Sequence, residues 1–344
     1  GIADYTREVS VGVNTGATGG LRVNDATLKT DSFKIGENGT GTASIENGGE
    51  VDINDSGQNR VWVGLGNNST GIITVSGDGS RIYSADEDSD GPLITIGGVY
   101  HSDTTAKGFL TAINGGVVEG AELVIAERCA EGTVRVTGAG SRIDIDGSVD
   151  VSSGGDPTYN NGTFTYYSGG KGALNIENSG VFSASNLHIG HYYGGEGIVT
   201  VSGENSHLDI ASSLSLWSSD KGTLSVEDSA NVSAQRISIG SDIGDSSTGE
   251  NTISLKTGGV VTTDSLSMSG TSMLNITEGG RMSISRSALV SAFEAEDNSA
   301  ITVGGANSRL GIGSNLYLGG FSYYEPGEGT YSFHGGTATL NVED

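Results

Sequence analysis

The chain repeats itself, and that repetition decides the architecture before composition is consulted. One unit reads Gly172-Ala-Leu-Asn-Ile-Glu-Asn-Ser-Gly-Val-Phe-Ser-Ala-Ser-Asn-Leu-His-Ile-Gly190. It returns as Gly222-Thr-Leu-Ser-Val-Glu-Asp-Ser-Ala-Asn-Val-Ser-Ala-Gln-Arg-Ile-Ser-Ile-Gly240. Looser copies occupy 108–126, 251–269 and 272–291. A second kind of unit is interspersed, reading Gly132-Thr-Val-Arg-Val-Thr-Gly-Ala-Gly-Ser-Arg-Ile-Asp-Ile-Asp-Gly-Ser-Val-Asp-Val-Ser152. It recurs from Gly71, Gly197 and Ser299, with Ser76-Gly-Asp-Gly-Ser-Arg81, Ser202-Gly-Glu-Asn-Ser-His207 and Gly304-Gly-Ala-Asn-Ser-Arg309 at the equivalent place. Earlier units begin near Gly20 and Gly41, and an incomplete one closes the sequence at Ala338-Thr-Leu-Asn-Val-Glu-Asp344. The total is about twelve units, enough for a solenoid in which each repeat buries its apolar face on the next.

Each unit contains three short stretches of alternating apolar residues. From Gly197 they are Val199 and Val201, Leu208 and Ile210, then Leu214 and Leu216. A period of two, broken by Gly, Asn and Ser, spells three strands and two turns. Equivalent first-strand residues lie 25 apart from Leu174 to Val199 and from Val199 to Leu224, 24 from Leu110 to Val134 and 21 from Ile253 to Leu274. Three strands per period predict a right-handed, three-sided parallel β-helix of about twelve coils, on the order of 55 Å long at ~4.8 Å per coil. Glycine is expected where the coil turns a corner with φ > 0. The stretch 287–296, Ser-Ala-Leu-Val-Ser-Ala-Phe-Glu-Ala-Glu, is expected to form a helical turn or cap.

Composition excludes several functions. The 344 residues include 17 Lys or Arg against 42 Asp or Glu, a formal charge of −25. Such a chain repels nucleic-acid phosphates and anionic lipid. One cysteine rules out a disulfide framework and a cysteine-based zinc site. No apolar run approaches the roughly 20 residues of a membrane helix, and Gly1-Ile2-Ala3-Asp4-Tyr5 is no signal peptide. Glycine at 58 residues suggests disorder, but 34% of the chain is hydrophobic and regularly spaced.

The alternation of Gly-Thr-Leu-Ser-Val-type with Val-Thr-Gly-Ala-Gly-Ser-Arg-type units resembles the passenger repeats of Gram-negative type V autotransporters, those of self-associating adhesins above all. The resemblance spans Gly20 to Asp344. It implies that 1–344 is a single β-helical passenger fragment, with the C-terminal membrane β-barrel absent from this chain. It also implies export to the bacterial surface and a role in adhesion, aggregation or biofilm formation.

Function on a solenoid sits where the repeat is interrupted. The insertions 97–107, 152–171, 190–196, 240–250 and 319–336 follow the third strand and precede the next coil, so they should emerge along one edge. Nine of the twelve tyrosines lie in them: Tyr100, Tyr159, Tyr166, Tyr167, Tyr192, Tyr193, Tyr323, Tyr324 and Tyr331. His101, His191 and His334 accompany them. Tyrosine offers a flat ring and a hydroxyl at low entropic cost, which suits sugar stacking or protein contact. Folding back over the coil edge is the plainer alternative. The pairs Tyr166-Tyr167, Tyr192-Tyr193 and Tyr323-Tyr324 are the partner-binding candidates, because adjacent strand residues point to opposite sides.

Asp86-Glu87-Asp88-Ser89-Asp90-Gly91 opens like a calcium loop, with Asp86, Asp88 and Asp90 as ligands. The bidentate Glu expected later is replaced by Gly97, so a solvated acidic loop competes with calcium. The fold requires no cofactor. Asp144, Asp146 and Asp150 form a weaker version of the pattern inside a regular coil. The basic column Arg81, Arg142, His207 and Arg309 is expected to pair with acids on the next coil, such as Glu177 or Glu227. Cys129 sits in a turn without a neighbouring His and is read as structural.

The leading reading is a non-enzymatic adhesin whose loop-bearing edge meets a second rod from another cell, or a host glycan or matrix protein. β-Helices also serve as polysaccharide lyases and glycosidases, which need a dense carboxylate constellation. A passive stalk is the third reading.

Overall fold

The computed structural model describes residues 2–53, 60–83, 93–98, 105–154, 158–160, 163–165, 169–191, 195–217, 221–240, 249–291, 298–319, 322–325, 330–333 and 337–343. Twelve strands, from Thr18–Asn24 to Thr337–Val342, stack in parallel into one sheet, here the first face. A second sheet of 17 strands supplies the other two faces. In several coils the second and third strands run together through a bend, as in Val181–His191 and His207–Leu216. The chain is a parallel β-helix with three strands per coil, as the period-two pattern requires.

Apolar side chains stack in columns because the coils pair in register. Leu174, Val199, Leu224, Ile253, Leu274 and Ile301 are consecutive Cα partners on the first face, and each is fully buried. On the second face Phe182 pairs with Leu208, and on the third Leu187 pairs with Leu214 and that with Ile237. One continuous core results.

The expected helical turn at 287–296 is corrected. Ala288–Val290 is a third-face strand, paired with Leu266, Ser267 and Met268 on one side and Leu316, Tyr317 and Leu318 on the other. Residues 292–297 lie outside the described residues. Local Ala and Leu content favours helix weakly, and the ladder of neighbouring coils overrides it.

The alternation of two repeat types has a physical origin at the first corner. In the longer-turn units a serine, Ser80, Ser141 or Ser206, donates to the carbonyl four residues back, at 2.7–2.8 Å. The same oxygens accept the backbone N–H of Gly48, Gly115 and Ser179 in the shorter turn of the coil beneath, at 3.0–3.1 Å. Ser308 holds Gly279 likewise at 3.1 Å. The Ser of the Gly-x-Gly-Ser-Arg motif is therefore a staple between a long turn and the short turn below it.

The corner from the third face to the next first face is closed by paired glycines. A Cβ on Gly197 would lie 2.5 Å from Val151 O and 2.6 Å from Gly190 N. On Gly71 it would lie 2.1 Å from Ile35 O. These are backbone atoms that cannot yield. Gly197→Ala should therefore cost about 3 kcal/mol or more, whereas Gly20→Ala, whose Cβ meets only Thr42 Oγ1 at 3.4 Å, should stay within about 0.5 kcal/mol. Urea unfolding of both variants checks this, and equal midpoints would contradict it. Ser141→Ala should lose about 1–3 kcal/mol in the same assay, because it strands the Gly115 N–H.

Candidate functional site

The glycine-closed corner is also where the insertions leave. The chain departs after the third strand, at Gly64, Gly97, Ser152 and Gly190, with φ of +70, +86, +67 and +69°. It returns at Gly71, Gly108, Gly172 and Gly197. The return glycines Gly71, Gly108, Gly132, Gly172, Gly197 and Gly222 are successive Cα partners. Departure and return points thus form one column along the rod, as the sequence predicts. At the base of the longest early insertion Ser152 Oγ donates to Gly170 O at 2.7 Å and closes the neck.

Two insertions carry β-hairpins of their own. Thr158–Asn160 pairs antiparallel with Thr163–Thr165, and Ser322–Glu325 with Thr330–Phe333. Tyr323 and Tyr324 lie on the second hairpin, with Tyr324 opposite Tyr331 and Tyr323 opposite Ser332. Tyr166, Tyr167, Tyr192 and Tyr193 lie outside the described residues, as do Asp86, Asp88 and Asp90. The flanks still place the acidic loop: it connects the second-face strand Arg81–Tyr83 to the third-face strand Leu93–Ile96. It therefore leaves from a different corner than the tyrosine insertions.

The basic column pairs differently from the expectation. Arg81 meets Glu50 of the preceding coil at 3.0 Å, and Arg142 meets Glu119 of the preceding coil at 3.2 Å and Asp144 at 2.9 Å. Glu177 and Glu227 belong to the first face, around a corner from these arginines, and hold Arg135 at 2.8 Å and Lys256 at 2.7 Å. That contact raises the Lys256 pKa, through its hydrogen bond with Glu227 first. Arg309 stacks in register on Arg281.

The weaker acidic pattern is dispersed. Asp144 accepts from Ser183 Oγ at 2.7 Å, and Asp150 Oδ1 lies 2.9 Å from His188 Nδ1. Asp150, His188 and Ser215 are register partners on three successive coils, a nucleophile–base–acid order invisible in the linear sequence. Trp217 meets the His188 ring edge-on, with centroids 6.0 Å apart. Cys129 is half-buried in its turn.

Two adjoining grooves follow the bend between the second and third faces, with volumes of about 340 and 380 Å³. They share Ile210 and Ser233. Two of their three carboxylates accept from hydroxyls of the next coil, Asp209 from Ser233 at 2.8 Å and Asp264 from Ser285 at 2.6 Å, while at Asp146 it is the main-chain oxygen that accepts from Ser185 Oγ. Among the described residues no group of three or more His, Cys, Asp or Glu could hold a metal ion.

No protein-family profile and no curated protein matches the chain. Among solved structures it is similar to a TibC-catalysed hyper-glycosylated fragment of TibA, at 13% identity and a TM-score of 0.36, over 99% of this chain and 98% of that one. The β-helix described above follows from strand pairing alone.

If the insertions are decoration on a self-sufficient rod, deleting 155–168 and joining the closed neck with a short Gly-Ser linker should change stability by less than about 0.5 kcal/mol. Loss of cooperative unfolding in that variant would contradict it.

Proposed function

We propose that the chain is the adhesive passenger of a bacterial surface protein, a rigid rod whose loop-bearing corner contacts a second rod or a host glycan or matrix protein. The observation that carries this reading is the single register column from which the insertions leave. A stack of coils turns separate loops into one linear array at a repeat of ~4.8 Å per coil. Weak contacts at each loop then act together, and avidity replaces affinity. The autotransporter-like alternation of the repeats supports surface export, and the Tyr-rich composition of the insertions supports contact by ring faces and hydroxyls.

Beads coated with the purified chain test the reading by clumping and by capture on glycan and matrix-protein arrays. Replacing Tyr166, Tyr167, Tyr192, Tyr193, Tyr323 and Tyr324 together by Ala should lower clumping or capture at least about tenfold through lost avidity, with an unchanged far-UV circular dichroism spectrum. A variant that clumps and binds like the parent would make the rod a passive stalk.

A further inference from the structure

The short turn at the first corner joins a fixed backbone geometry to a chemical weakness. It runs Glu46-Asn47-Gly48-Gly49 in one coil, Ile113-Asn114-Gly115-Gly116 in another and Glu177-Asn178-Ser179-Gly180 in a third. In each, the fourth residue donates its N–H to the carbonyl of the first, at 3.0, 3.1 and 3.0 Å. Both central residues have positive φ, +53 and +77° at Asn47 and Gly48 and +54 and +90° at Asn114 and Gly115. This is the type I′ turn, which selects Asn first and Gly second. The same dipeptide is the one most open to attack on itself, because glycine puts no side chain in the way of its own backbone nitrogen. The nitrogen of Gly48 or Gly115 can bond to the side-chain Cγ of the Asn before it. The Asn Nδ2 then leaves as ammonia, taking the backbone amide proton, and a cyclic succinimide closes. Water opens that ring at either carbonyl, to aspartate or to an isoaspartyl linkage that carries the main chain through Cβ.

We propose that Asn47 and Asn114 are latent self-modification sites, kept dormant because Ser80 and Ser141 of the following coils capture the attacking nitrogen. The turn's internal hydrogen bond uses the N–H of Gly49 or Gly116, one residue too late to restrain it. The staple supplies what the turn lacks: Ser80 Oγ accepts from Gly48 N at 3.1 Å and Ser141 Oγ from Gly115 N at 3.0 Å. Both serines are fully buried, and each spends its own proton on a carbonyl four residues back, so its oxygen is fixed as the acceptor. The Asn residues themselves are exposed to the water that would complete the reaction. The captured N–H keeps the proton that must be lost before the nitrogen becomes nucleophilic, and it is aimed at the next coil. Attack therefore awaits a local opening of the corner, and the population of that opening falls with the bonds it must break. Conversion would add a negative charge to a chain already at −25, and an isoaspartyl linkage would lengthen the main chain where coils must pair in register. The proposal concerns how the rod endures, and it stands whatever the rod contacts. Asn38-Gly39 is a built-in reference, since Gly39 N–H is held by the main-chain oxygen of Gly12 at 2.8 Å and by no serine.

Peptide mapping by mass spectrometry tests this on the parent chain, S80A and S141A, incubated folded at mildly alkaline pH, with circular dichroism to show that each is folded. The readout at each Asn is the mass gained when ammonia is lost and water is added. The parent should react far more slowly at Asn38, Asn47 and Asn114 than the same chain unfolded in urea. S141A should convert Asn114 at least about tenfold faster than the parent, the weight of one hydrogen bond in a rate, with Asn38 and Asn47 as slow as before. S80A should do the same at Asn47 alone, and it carries the test if S141A does not fold. A folded variant whose unstapled Asn reacts no faster than the parent's would overturn the proposal. Acceleration at all three sites together would overturn it too, because that is loosening of the whole rod and not the release of one captured nitrogen. A parent whose Asn114 reacts as fast folded as in urea would show that nothing guards it.

Discussion

Coil-to-coil backbone hydrogen bonding is the interaction on which the rest of this structure depends. It fixes a spacing of ~4.8 Å and a register in which equivalent residues lie directly above one another. Chemistry is therefore organised in columns rather than in loops or pockets. The glycine-closed corner is the tightest expression of that constraint, since departing strand, returning strand and the coil beneath meet there with no room for a Cβ. The tyrosine-bearing insertions leave at that corner and so share one column, the neck of 152–171 closed by Ser152, whereas the acidic loop joins the second face to the third.

The strands and core were legible in the sequence because they depend on local alternation. Val199, Val201, Leu208, Ile210, Leu214 and Leu216 are all inward and at most 2% exposed. The corner of departure was legible because repeat similarity breaks there. What escaped reading depends on which residues become vertical neighbours. Lys107, Glu131 and Lys171 are 24 and 40 residues apart in the chain yet adjacent in one ladder, and variable insertions hide that spacing. The partners of Arg81 and Arg142 were misassigned for the same reason. The serine staple was visible only as a recurrent motif, its purpose lying in the coil beneath. The hairpin at Thr158–Thr165 carried its own signal, Asn161-Gly162 between short β-prone runs, which is a two-residue hairpin pattern.

Charge ties the architecture to its use. Turns, insertions and the remaining faces hold the acidity that keeps rods apart and soluble. One flat side, the first face, is balanced residue against residue, with Lys107, Glu131, Lys171, Glu196 and Lys221 alternating along one column. The balanced side borders the corner that carries the tyrosine insertions.

Small-angle X-ray scattering of the dilute chain tests the columnar account most directly, because coils stacked at a fixed spacing set the length of the rod. Twelve stacked first-face strands predict an elongated particle with a maximum dimension of roughly 60 Å at ~4.8 Å per coil. A maximum dimension near the diameter of a sphere of the same mass would contradict it.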